Sequence, residues 1–165
     1  MNKSRVTPTE VMTIDVDIQY ATDHSDLPAT DKIQKWARAA LHGLVDNAEL
    51  TVRIVDEAES TQLNEQWRKS SGPTNVLSFP YDGEEKYAPG LLGDIVICAP
   101  VIFREANDQG KSPDAHWAHM LIHGILHLLD YEHAEPKDAD KMEALEIKIL
   151  KELGYADPYI PVNNK

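Results

Sequence analysis

The chain is 165 residues long, 42% hydrophobic and 27% charged, which is the profile of one ordinary globular domain and excludes bulk disorder. Its single cysteine, Cys98, rules out an internal disulfide framework and favours a reducing compartment, and no run approaches the ~18 apolar residues of a membrane span. A formal charge of −12 argues against broad nucleic-acid binding by phosphate neutralisation, yet leaves room for a local basic cleft, because net charge averages over faces a substrate never meets. The opening stretch MNKSRVTPTEVM lacks the apolar core of a signal peptide, so residues 1–165 read as a single cytoplasmic domain.

Val11 to Tyr20 alternates apolar and polar residues, the pattern of a half-buried strand. Ala29 to Val45 follows Pro28, offers Thr30 as a cap, and repeats Ile33, Trp36, Ala37, Ala40, Leu41 and Leu44 at helical spacing. Glu49 to Val55 is a second alternating strand. Ser60 to Lys69 reads as a short helix with Leu63 and Trp67 on one face, halted by Ser70-Ser71-Gly72-Pro73. Thr74 to Pro80 is a strand stopped by proline, and Leu91 to Cys98 is a fourth strand.

The second half is helical: Pro100 to Asn107, a strongly apolar Asp114 to Leu129, and an amphipathic Pro136 to Leu153 ended by Gly154. Ala156 to Lys165 reads as a tail. The fold class that follows is α+β, a small four-stranded mixed sheet packed with about five helices, the histidine-bearing helix lying against the sheet.

Four of the seven histidines fall at His116, His119, His123 and His127, with His133 shortly after. On a helix, His123 and His127 project from the same face and can share one metal ion, as in the HExxH zinc helix. His133 reaches the same ion only if the helix ends near Leu129 and the chain turns back, for which Asp130 is suited because Asp tolerates left-handed dihedrals. The elongated zincin pattern HExxHxxGxxH has the same three histidine positions, and three histidines with an open fourth position form a catalytic site rather than a structural one.

For His119, a supporting role at that site and plain packing weigh equally. His116 reads as solvated or capping, and His24 and His42 have no partners in sequence. Where a zinc peptidase carries its glutamate base, this chain has Gly124, which weakens a protease reading and implies close approach of another backbone. Glu132, beside His133, is a turn residue or a base, the former reading being the plainer.

His123-Gly124-Ile125-Leu126-His127-Leu128-Leu129-Asp130-Tyr131-Glu132-His133 resembles the H-G-x-L-H-L-x-G-Y-D-H signature of the YbeY family of bacterial endoribonucleases. Leu63-Asn64 through Trp67-Arg68, followed by Thr74-Asn75-Val76-Leu77-Ser78-Phe79-Pro80, resembles the family's L-N-x-x-[YWF]-R … T-D-V-L-S-F-P segment. Leu92-Gly93-Asp94-Ile95-Val96-Ile97 resembles its L-G-D-I-x-I strand. The departures are Asp130 for glycine, Glu132 for aspartate and Asn75 for aspartate; none replaces a ligand.

The resemblance implies a metal-dependent, single-strand-specific RNase of 16S ribosomal RNA 3′-end maturation, late small-subunit assembly and ribosome quality control. It implies Zn2+ or another divalent transition metal on His123, His127 and His133, and an essential Arg68. The partners implied are ribosomal precursor RNA, the small subunit and its assembly factors, with no DNA and no membrane. The chemistry is consistent with this: phosphodiester cleavage builds charge on nonbridging oxygens, which a cation and a bidentate guanidinium offset without a carboxylate base. Lys69, with Arg53 or Lys111, is expected to complete a basic rim. A metallopeptidase-like hydrolase and a noncatalytic assembly factor with structural zinc are the alternatives.

Overall fold

The computed structural model describes residues 13–81, 90–131 and 136–160. In chain order the elements are β1 (Thr13–Ala21), α1 (Thr30–Leu41), β2 (Asn47–Val55), α2 (Glu57–Leu63), β3 (Val76–Pro80), β4 (Leu91–Cys98), α3 (Ala99–Gln109), α4 (Pro113–Leu128) and α5 (Pro136–Glu152). The strands form one sheet in the order β1-β2-β4-β3, with β1, β2 and β4 parallel and β3 antiparallel at the edge. This is the mixed four-stranded α+β arrangement expected from the sequence.

Alternation explains β1, whose Ile14 and Val16 face inward while Asp15 and Asp17 face water. Most of the core lies on one sheet face, where α1 contributes Ile33 and Trp36, α4 contributes Trp117, Leu121 and Ile125, and α5 contributes Met142 and Ile149. A smaller cluster of Leu77, Val96, Cys98 and Val101 fills the other face. Gly93 joins β4 to β3 at a distance only glycine permits. Its φ is +139°, and a Cβ there would lie 2.2 Å from the Phe79 carbonyl oxygen.

Two expectations need correction. The first helix is shorter than Ala29–Val45. Ala29 occupies the cap position without a side-chain bond, so Thr30 is the first helical residue rather than the cap, and the helix stops at Leu41 ahead of Gly43, whose φ is +81°.

The single helix expected over Ser60–Lys69 begins three residues sooner and widens after Leu63 into a π-helical turn, Asn64–Arg68. The widening has a local cause: buried Asn64 donates from Nδ2 to the Gly72 carbonyl at 2.9 Å, and its own carbonyl accepts from Ser70 at 3.3 Å, closing the turn onto the loop. Trp67 is 59% exposed, edge-on to Phe79, instead of sharing a buried face.

Candidate functional site

Helix α4 begins at a serine cap, Ser112 accepting from the Ala115 amide at 3.2 Å, with Pro113 at the first helical position. The helix crosses the sheet closely at Gly124. A Cβ there would meet Ile95 Cγ2, Ser78 Oγ and Val76 Cγ2, each at 3.2 Å. A close approach is present at Gly124, but it is made by side chains of β3 and β4 and not by another backbone as expected. The Ser78 hydroxyl uses the proximity to donate to the Gly124 carbonyl at 2.9 Å.

His123 and His127 lie on either side of that contact, their ring centroids 4.6 Å apart and their Nε2 atoms 3.1 Å apart. On the far side of the His123 ring, Nδ1 lies 2.6 Å from Glu146 Oε2. Glu146 comes from α5 and is fully buried, and its Oε1 takes His119 Nε2 at 3.0 Å and the Tyr159 hydroxyl.

Burial pushes the Glu146 carboxyl up, but hydrogen bonds from His119, His123 and Tyr159 outweigh it and bring its pKa down to about 2. An ionised carboxylate only accepts, so all three neighbours donate. The bonds thereby turn Nε2–H of His119 and Nδ1–H of His123 toward Glu146, and the other nitrogen of His123, Nε2, toward His127. Burial holds His119 below the ordinary histidine value despite its bond to Glu146, and burial together with Glu146 pushes the Tyr159 phenol up.

The end of α4 is a Schellman motif. Tyr131 N–H donates to the Leu126 carbonyl and Asp130 N–H to the His127 carbonyl, both at 3.0 Å, while Asp130 takes φ +73°. Asp130 thus adopts the left-handed conformation expected of it. His133 and Glu132 lie outside the described residues. Among the described residues no cluster of three His, Cys, Asp or Glu side chains is arranged to hold a metal.

Arg68, at the end of the π turn, reaches the free edge of the sheet and donates from Nη2 to the Ser78 carbonyl at 3.0 Å. Ser78 therefore bridges Arg68 to Gly124, and Arg68 and the histidine pair share one strand of support. Of the other cations expected at a basic rim, Arg53 is taken by Glu59 through two bonds of 2.7 and 3.0 Å, and by Gln19. Lys111 donates to the Pro158 carbonyl at 2.8 Å and lines a cavity of about 620 Å³ with Asn75, Glu105, His116, His119 and Tyr159.

His116 is corrected: it is neither solvated nor a cap. It is 2% exposed, with Nε2 2.8 Å from Glu105 Oε1. Asn75, the departure from aspartate, donates to both oxygens of the same Glu105 at 3.1 and 3.3 Å, a position where a carboxylate would repel. His24 stacks on Phe103 at 4.7 Å and His42 follows the end of α1.

Sequence reasoning missed Glu146 and Tyr159. The signal for Glu146 was its place between Met142 and Leu150, a carboxylate on the apolar stripe of α5. Tyr159 lies in the stretch expected to be a tail.

The family model described as Endoribonuclease YbeY matches residues 17–154. Endoribonuclease YbeY of Coxiella burnetii strain Dugway 5J108-111 is 47% identical over 149 residues, covering 88% of this chain and 98% of its own, as is that of strain RSA 331 / Henzerling II. The solution structure of TM1509 from Thermotoga maritima superposes with a TM-score of 0.60 at 25% identity, over 88% of this chain and 99% of its own. Because the matched span runs from within β1 past the end of α5 and takes in Arg68, Ser78, α4 and Glu146, the chain belongs to the YbeY endoribonuclease family.

Proposed function

We propose that the chain is a metal-dependent, single-strand-specific endoribonuclease acting on ribosomal precursor RNA, in 3′-end maturation of 16S rRNA, late small-subunit assembly and ribosome quality control. Residues 1–165 act as one cytoplasmic domain, with the small subunit and its assembly factors as partners and no role on DNA or membranes. The observation that supports the reading is the Arg68–Ser78–Gly124 link, which ties Arg68 and the helix of the histidine pair to the same strand.

The ligands of a zincin-like site are His123, His127 and His133, with Zn2+ as the metal. The described part of the donor set fits: two imidazole nitrogens face each other at 3.1 Å, one of them with its tautomer set by a carboxylate behind it. When bound, such an ion supplies Lewis acidity, positive charge for a phosphate oxygen and a lowered pKa for water.

The chain's own groups do the rest. Arg68 carries five N–H donors, and Nη2 anchors it on Ser78, so the others are available to grip nonbridging phosphate oxygens in a fixed orientation. Charge developing on the phosphate is then met by a preorganised donor. Glu146 keeps the His123 proton on Nδ1, away from the substrate side. Gly124 stands where a peptidase carries its base, which favours phosphate chemistry over peptide hydrolysis.

The test is single-turnover cleavage of single-stranded ribosomal precursor RNA, with and without chelator, beside casein as a peptidase control. Chelation should stop RNA cleavage, and casein should survive. Arg68→Ala should lower the cleavage rate on the order of 10²–10³-fold with melting temperature and metal content unchanged. RNA cleavage that persists through chelation, or full activity in the arginine variant, overturns this mechanism.

A further inference from the structure

Resting on the reading of His123 as a metal ligand, we propose that Glu146 is its positioning residue, held in register by Tyr159 of the C-terminal segment.

The carboxylate is divided between two tasks. Oε2 serves His123, at a short 2.6 Å, while Oε1 gathers His119 and Tyr159. A carboxylate is planar and rigid, so fixing Oε1 from two directions fixes where Oε2 points. Tyr159 acts on His123 through that rigidity, without touching it. Glu146 has no exposed surface.

The segment that carries Tyr159 is built to return to this place. Gly154, at φ +92°, ends α5, and the Tyr155 amide bonds back to the Leu150 carbonyl at 2.9 Å. Lys111 then fastens the segment through the Pro158 carbonyl, and Asp157 Oδ1 accepts from the Tyr159 amide at 2.8 Å. Tyr159 itself is 43% exposed, which a residue present only to fill the core would not be. It also lies beyond residues 17–154, the span matched by the family model.

A purely structural role for the buried carboxylate predicts one thing, lower stability on its removal. A positioning role predicts two more. His123 should hold its proton on Nδ1 in metal-free protein, and metal affinity should fall when the carboxylate loses its charge or its clamp.

The experiment measures zinc affinity by competition with a chromophoric chelator, and His123 ring nitrogen shifts by NMR on metal-free protein, for wild type, Glu146→Gln and Tyr159→Phe. Glu146→Gln should weaken zinc binding about 10–100-fold, and Tyr159→Phe, which strips one donor from Oε1, less than about tenfold. His123 should read as Nδ1–H in wild type, with its shifts moved in both variants. Zinc bound by Glu146→Gln within about threefold of wild type, with only melting temperature lowered, overturns the inference and leaves the metal reading standing. Wild-type protein that binds no zinc overturns both. Should Glu146→Gln fail to fold, Tyr159→Phe decides alone: weakened zinc with shifted His123 signals supports the clamp, and no change in either overturns it.

Discussion

His116 and His127 stand at opposite ends of α4, and their rings meet opposite surroundings. In the first half of the helix, His116 is buried against α3, where its Nε2 meets Glu105, a partner it shares with Asn75. In the second half the helix runs beside β3, the free edge of the sheet, and His127 keeps partial exposure with its Nε2 turned to His123. His119 and His123 are the transition, one on each oxygen of Glu146. The same residue type on one helix is thus buried where a neighbouring helix covers it and partly exposed where the sheet ends. What separates the two settings is the neighbour, which no spacing along α4 reports.

The largest expected effect separates the two ends directly. His116→Ala opens a buried hole and leaves Glu105 with Asn75 alone, which should cost about 2–3 kcal/mol of stability while zinc binding persists. His127→Ala removes a partly exposed ring and should cost within about 1 kcal/mol in chelator, yet abolish tight zinc binding. Urea unfolding in chelator, paired with metal analysis, reads both. The opposite pattern, with His127 the costly residue in metal-free protein, would erase the distinction between the halves.

The fold was largely legible in the sequence, and the reasons differ by element. Alternation placed β1 and β2, because half-buried strands announce which residues face the core. The π turn was not legible, since its cause is the reach of Asn64 to Gly72, a bond that a four-residue period cannot express. At the site, the helical period brought His123 and His127 together, and the Asp130 turn is present. His116 was misread because its partner, Glu105, lies on another helix. Glu146 and Tyr159 were missed because three donors meet one carboxylate only after α4, α5 and the C-terminal segment have packed.

A smaller effect sharpens the buried end. Glu105 is pushed up by burial, but hydrogen bonds from His116 and Asn75 prevail and hold its pKa below the usual 4.5. A depressed carboxylate contributes stability that is fully present above its unfolded value and lost as pH falls through the folded one. In Asn75→Asp the amide donor becomes a second carboxylate facing Glu105. This should cost about 1–2 kcal/mol at pH 7, and the penalty should shrink at pH 4, where the pair can share a proton. Urea midpoints for both proteins at the two pH values are the measurement. A penalty that grows on acidification would mean that Asn75 and Glu105 do not face each other as described.

The smallest effect lies at the open end of α4, in the turn beyond His127. Asp130 holds φ +73°, a conformation that strains any residue with a Cβ, though Asp less than most. Its carboxylate also sits just past a helix C-terminus, where the unpaired carbonyls of the last turn already concentrate negative charge. Glycine would relieve both, while its greater freedom in the unfolded chain takes back part of the gain. Asp130→Gly should therefore stabilise the protein by only about 0.5–1 kcal/mol. Because the two bonds of the Schellman motif are made by backbone atoms, Tyr131 to Leu126 and residue 130 to His127, they survive the substitution, and the course of the chain toward His133 should be kept. Zinc affinity is then expected to stay at the wild-type level while the urea midpoint rises. If the variant is instead destabilised, the Asp130 side chain holds the turn together by a contact of its own, and the His127 end of α4 is more finely determined than its buried end.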